Sequence, residues 1–197
     1  MSLEQKINNL ETDLHIMGTL VLDSLVGAVR ALEDKDTLKA SEVMDKDDEI
    51  DDAYMKIDQD WFELMATEQP VASDLRLSTS ILQASLHLER LGDLSVYLGK
   101  TTHEIHDLPI PESLHKIVVE MGDMVIDMAS SALESLKNRD AELALSTARK
   151  DELINSLYNK MLNEVPNISG NKDLYSGLFR LCLLYTSDAA DDDRGVG

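Results

Sequence analysis

Two pairs of carboxylates define the chemistry open to this chain. Glu89 and Asp93 stand four residues apart in "HLERLGD" (87–93), and Asp47 and Asp51 stand four apart in "KDDEID" (46–51). That spacing puts both members of a pair on one face of a helix. Two such helices lying side by side would converge four carboxylates on one point. Oxygen-only donors of this kind suit Mg, Mn, Ca or Fe better than Zn.

The helices that must carry these pairs are read from apolar periodicity. On a wheel of 100° per residue with Asp47 at zero, Ala40, Val43, Met44, Ile50, Tyr54, Trp61, Phe62 and Met65 fall within roughly 60°. Asp51 and Asp58 fall there too. Asp45, Asp48, Glu49, Asp52, Lys56, Gln59 and Glu63 occupy the other side and read as a solvated face. Glu89 and Asp93 align with Leu75, Leu82, Leu86 and Val96, away from the polar stripe of Arg76, Gln83, His87 and Arg90. Both pairs are thus expected on apolar faces, where an unpaired carboxylate costs several kcal/mol unless a cation or hydrogen bonds offset it. The competing reading is that these acids are interfacial, half-solvated or loop-capping.

The chain repeats itself. Shifted by 104 residues, 17–54 matches 121–158 with 12 identities in 38 positions and no gap. "MGTLVLD" lies on "MGDMVID", and "KDDEIDDAY" on "KDELINSLY". Asp151 then corresponds to Asp47 and Asn155 to Asp51. Asn ligates only through a neutral carbonyl, so a second site would be weaker. "ESLH" (112–115) is a single E-x-x-H, whereas di-iron bundles need two. His115 is expected at the surface. Gly18 and Gly122 take equivalent places, which suggests close helix contact there.

Each unit reads as three helices. The first unit spans about 3–33, 37–67 and from Pro70 to near 105. "HDLPIPES" (106–113) is a linker broken by two prolines. Helices over 112–138 and 140–164 follow, with a sixth from near Leu174. The expected fold is all-α, two tandem three-helix bundles covering 1–107 and 112–181.

Composition narrows the partners. A net charge of −20 repels nucleic acid and anionic lipid and favours cations or basic protein patches. The lone cysteine, Cys182, excludes an internal disulfide framework and fits a reducing compartment. No apolar h-region opens the chain, and no run of 18 apolar residues occurs in it. A cytoplasmic protein without membrane insertion is expected.

"TEQPVASDLRLSTSILQASLHLERLGD" (67–93) resembles the signature region of the PhoU family, and "DKDDEIDDAY" resembles its companion acidic motif. The resemblance covers residue 3 to about 181. It implies two tandem three-helix bundles in a cytoplasmic, homodimeric negative regulator of phosphate uptake and phosphate-starvation signalling. The implied partners are the Pst phosphate transporter, through its ATPase, and the sensor kinase PhoR. It also implies metal clusters, with Fe, Mn, Mg or Zn as candidate ions, held by E(D)-x-x-x-D pairs. Residue by residue, these map to Asp47, Asp51, Glu89 and Asp93, and in the second unit only to Asp151 and Asn155.

The chain departs from the family pattern at its end. A second E-R-x-x-D is due after "LYSGLFRL", but "CLLYTSDAADDDRGVG" follows. That tail resembles translated adapter read-through, so the second bundle is expected to be truncated and 182–197 to be non-native; the rival is a flexible acidic terminus. Two other functional classes compete: a carboxylate-bridged di-metal bundle enzyme, and a metal-free helical adaptor. No Gly-rich phosphate loop, nucleophile elbow or His/Cys dyad supports catalysis, and no enzyme is expected. Few basic residues converge, so no phosphate site is expected either.

Overall fold

The computed structural model describes residues 1–164. These form seven helices: α1 (Leu3–Asp34), α2 (Thr37–Met44), α3 (Asp47–Glu68), α4 (Ala72–Ile105), α5 (Glu112–Asn138), α6 (Ala141–Ala148) and α7 (Asp151–Glu164). No strand occurs among the described residues. The expected sixth helix and the tail lie outside them.

The 104-residue repeat is visible in backbone detail. Ser2 starts α1 with a capping box: its Oγ accepts from Gln5 N–H, and Gln5 Oε1 accepts from Ser2 N–H. α1 ends at Lys35 in the left-handed region (φ 54°), and Asp36 N–H reaches back to Ala31 O at 2.8 Å. Asp36 then caps α2 by accepting from Leu38 and Lys39 N–H. The second copy does the same. Arg139 has φ 53°, Asp140 N–H reaches Ser135 O at 2.8 Å, and Asp140 accepts from Leu143 N–H.

The single helix expected over 37–67 is two helices, α2 and α3, and its counterpart over 140–164 is α6 and α7. No proline or glycine marks either break. Electrostatics supplies the reason. In a continuous helix the acids that follow Lys46 and Lys150 would stand mid-helix, away from the favourable field of an N-terminus. The break instead places Asp47, Asp48 and Glu49 in the first turn of α3, and Asp151 and Glu152 in that of α7, where the helix dipole favours negative charge.

The restart also rotates the buried stripe of α3. Ile50, Ile57 and Leu64 are the buried residues, while Phe62 is 70% exposed. The core face therefore lies roughly 80° from the one centred on Asp47. α4 differs from expectation in a similar way. Its core seam is Ser78, Ile81, Ser85, Leu88, Gly92, Ser95, Gly99 and Thr102, a heptad alternation in which most residues are small. Leu75 and Leu86 are exposed. The seam hydroxyls bond carbonyls of their own helix: Ser78 to Asp74, Ser85 to Leu82, Ser95 to Leu91, Thr102 to Leu98. They are satisfied without cross-helix partners, and α4 can lie close to its neighbours.

Small residues set those approaches. A Cβ on Gly92 would lie 3.1 Å from Ile50 Cδ1, and one on Gly99 would lie 3.1 Å from Ala40 O. Gly18 serves a different contact: a Cβ there would lie 2.8 Å from Leu133 Cδ2, on α5 of the second repeat. The repeats accordingly share a core. Leu25, Val29 and Leu32 of α1 and Leu98 of α4 join Leu114, Ile117 and Met121 of α5 and Ile154 and Met161 of α7 in one cluster. A second cluster lies within the first repeat, built on Leu10, Leu14, Met17, Ile50, Ile57 and Leu64. By length and composition α1 is apolar enough to cross a membrane, but half its most apolar window is buried in the fold.

Candidate functional site

The Gly92–Ile50 contact draws both carboxylate pairs to one place. Ile50 sits between Asp47 and Asp51 on α3, and Gly92 sits between Glu89 and Asp93 on α4. Asp47 and Glu89 are half-buried; Asp51 and Asp93 are exposed. The acids thus occupy the flank beside the core seam, and they are not buried as the wheel suggested. The rotated phase of α3 accounts for this.

Their charges act on one another. Burial pushes the Asp47 carboxyl up, and Asp51, Asp93 and Asp48 push it further, against a weaker pull from Lys100. Burial also raises Asp51, with Asp93, Asp48 and Asp52 adding to it. Glu89 is raised by burial, then by Asp93 and Asp51, with Arg90 opposing and Asp47 adding. These shifts occur even though Asp47 starts a helix, an end that favours the ionised form.

Other acids of the first repeat have direct cations. Lys56 holds Asp13, Arg30 holds Glu33 at 2.6 Å, and Lys6 holds Glu68 at 3.0 Å. Asp47 feels an opposing pull from Lys100 and Glu89 one from Arg90, each weaker than the effect of burial. The result is a concentrated negative field at a half-buried surface, chemically suited to a hard cation. Among the described residues, no three His, Cys, Asp or Glu side chains converge closely enough to hold one metal ion as they stand. Rotation of exposed Asp51 and Asp93 would be needed to close such a cage.

The second copy is built differently. Asp151 opens α7, and Asn155 Nδ2 donates to Asp151 Oδ2 at 3.0 Å. The amide that replaces the second carboxylate satisfies the first, so this pair carries less free negative charge than its counterpart. The segment that corresponds in sequence to α4 lies outside the described residues. His115 is half-buried, not at the surface as expected. Its Nε2 lies 3.3 Å from Leu32 O near the end of α1, and Glu112 pairs with Lys116 at 2.5 Å. "ESLH" is therefore a packing and surface-pair element.

Sequence reasoning missed Gly92 and the small-residue seam that position the site. The signal was present as Ser/Gly at heptad spacing, but small residues score as neutral in an apolar wheel.

With the geometry in place, comparison with known proteins is informative. A PhoU domain family model matches residues 14–102 and 118–187, one match in each repeat. The chain is 32% identical over 169 residues to a protein named phosphate-specific transport system accessory protein PhoU homolog from Clostridium acetobutylicum, covering 84% of this chain and 75% of that one. A protein of the same name from Pseudomonas aeruginosa is 32% identical over 160 residues, covering 81% of this chain and 66% of its own length. The crystal structure of PhoU from Pseudomonas aeruginosa superposes with a TM-score of 0.84 at 27% identity, covering 96% of each chain. That of the phosphate transport system regulatory protein PhoU from Streptococcus pneumoniae does so with 0.80 at 25% identity, covering 93% of this chain and 91% of that one. Doubled family match, close superposition and relatives of one name agree: the chain belongs to the PhoU family.

Proposed function

We propose that this chain is a cytoplasmic negative regulator of phosphate uptake and phosphate-starvation signalling. It acts by contact with the Pst phosphate transporter, through its ATPase, and with the sensor kinase PhoR, as a homodimer. The observation that carries this reading is the family match in both repeats, beside relatives named as accessory proteins of phosphate-specific transport. Regulation by contact also fits the chemistry. Among the described residues Lys6, Arg30 and Lys56 are paired with acids and are not gathered around a phosphate-sized site, and a carboxylate cluster offers no oxyanion-stabilising donors.

Asp47, Asp51, Glu89 and Asp93 are the residues that would hold Mg, Mn or Fe, with Zn less suited to an all-oxygen set. Asp151 and Asn155 would form at most a weaker second site. A bound cation would neutralise the field between α3 and α4 and tie the two helices together. Its role in this reading is structural and regulatory.

The reading is tested by expressing the full chain in a bacterium whose own PhoU homologue is deleted, with a phosphate-starvation reporter. Restored repression in phosphate-rich medium supports it. Unrestored repression, with the protein present and folded, contradicts it.

A further inference from the structure

The 104-residue repeat builds one helix seat twice, and the two copies differ in what covers them. In the first repeat, Ala28, Val29 and Leu32 of α1 and Ala40 of α2 are at most 2% exposed. The last turns of α4 cover them. Leu98 and Ile105 join Ala28, Val29 and Leu32 in one apolar cluster, and a Cβ on Gly99 would lie 3.1 Å from Ala40 O. The far wall of this seat is α5, whose Leu114, Ile117 and Val118 belong to the same cluster.

Shifted by 104, the covered positions become Ala132, Leu133, Leu136 and Ala144. Ala132 and Ala144 are exposed, Leu136 is 36% exposed and Leu133 is half-buried. Together they line a cleft of about 830 Å³ between the repeats. Its other wall holds Leu14 of α1, the counterpart of Val118, beside Leu77 and Ile81 of α4. No helix among the described residues lies over this second seat as α4 lies over the first.

The covered seat shows what the open one takes. Two successive heptads on α4, Leu91-Gly92-x-x-Ser95 and Leu98-Gly99-x-x-Thr102, lead to Ile105 and set large and small residues alternately on one face. The glycines let the helix backbone approach an alanine-lined wall, while leucine and isoleucine fill the space beside it. A Leu-Gly-x-x-Ser/Thr heptad occurs nowhere else in the sequence. On α4 that face is already used, with Leu98 and Thr102 no more than 2% exposed. A second copy of this chain therefore cannot offer it without unfolding its own first bundle. A helix from another protein can, by laying the same kind of face into the groove.

We propose that the cleft formed by Ala132, Leu133, Leu136 and Ala144 against Leu14 and Ile81 docks a helix of a partner protein whose buried face carries the Leu-Gly-x-x-Ser/Thr heptad. This goes beyond the regulatory reading and does not rest on it, because docking is measured on purified protein and repression in cells.

The test uses the full chain and a labelled synthetic peptide with the sequence of residues 90–107, which is seen to fit the first seat. Fluorescence anisotropy measures binding. The control peptide carries Gly92→Leu/Gly99→Leu, which removes the close approach. The parent peptide is expected to bind saturably and at least about tenfold more tightly than the control. In the protein, Ala144→Leu should weaken binding by about tenfold or more, because Ala144 would face a glycine as Ala40 does. Its melting temperature without peptide should be unchanged, since Ala144 is exposed. Ala132→Leu, on the neighbouring helix, should act in the same way and carries the test should Ala144→Leu fail to fold. Absence of saturable binding, or equal affinity for the two peptides, would overturn the proposal. So would full affinity in the wall variants, because the peptide would then have displaced α4 from the first seat or bound elsewhere. A wild-type dimer that Ala144→Leu converts to monomer would overturn it too, because the occupant would be a second copy.

Discussion

Gly92 and Ile50 meet so closely that a single added carbon would not fit between them without movement: a Cβ on Gly92 would lie 3.1 Å from both Cδ1 and Cγ2 of Ile50. This contact is where α4 reaches the first turn of α3, and it carries both carboxylate pairs with it. Gly92→Ala gains helix propensity of about 1 kcal/mol. It also overpacks a buried site, at about 1–3 kcal/mol. Ile50 is only 2% exposed and has little room to give, so overpacking wins. Urea denaturation should show Gly92→Ala destabilised by about 1 kcal/mol and Gly92→Val by more. An unchanged midpoint for Gly92→Val would show that the contact is looser than described.

Gly18 provides the contrast. The atoms a Cβ would meet there are the terminal methyls of Leu133, at 2.8 and 2.9 Å. The end of a flexible side chain can move where Ile50 cannot. Gly18→Ala should therefore be close to neutral, within about 0.5 kcal/mol, the propensity gain offsetting the repacking. A loss as large as that of Gly92→Ala would mean that the α1–α5 contact is rigid.

The carboxylates give the protein a definite pH response. Asp47, Asp51 and Glu89 are all held above their ordinary values in the fold. In the window just above the usual carboxylate range, the native state then binds more protons than the unfolded one. Their contribution to stability is fully present below the unfolded values and is lost as pH rises through the folded ones. In chelator, Asp47→Asn/Glu89→Gln should melt higher than the parent at pH 7, and the gap should close as the pH falls to about 4. A variant that melts lower at pH 7 would show that the ionised acids have partners which stabilise them.

Asn155 tests the difference between the two repeats. Asn155→Asp removes the amide donor that Asp151 accepts at 3.0 Å and sets two like charges four residues apart. The lost hydrogen bond and the repulsion together should cost about 1 kcal/mol at pH 7 in chelator. Thermal unfolding at pH 7 and at pH 4 checks it, since protonation should remove most of the loss. An equal loss at both pH values would point to packing.

Much of this architecture was legible in the residues. The repeat placed α5 over 112–138 and a helical stretch over 140–164, which the structure divides into α6 and α7. The break between α2 and α3 was not legible, because periodicity looks for proline or glycine and finds neither. Its signal was the acidic first turn after Lys46 and again after Lys150, which reads equally as a charge run. That break shifted the phase of α3, so Phe62 was expected inward and Ile57 and Leu64 were not. Leu75 and Leu86 misled in the same way on α4. An apolar wheel cannot recognise a seam whose packing comes from Ser78, Ser85, Gly92 and Gly99. The two carboxylate pairs flank the seam instead of lying buried in it, and no three of their side chains converge as they stand.

The most direct measurement is calorimetric titration of Mn²⁺ into the chelator-stripped full chain, beside Glu89→Ala/Asp93→Ala. The account predicts saturable binding in the parent, a raised melting temperature with metal, and loss of both in the variant. If parent and variant bind Mn²⁺ alike, or neither binds it, the four carboxylates are not a metal site and the reading of α3 and α4 as its two halves is wrong.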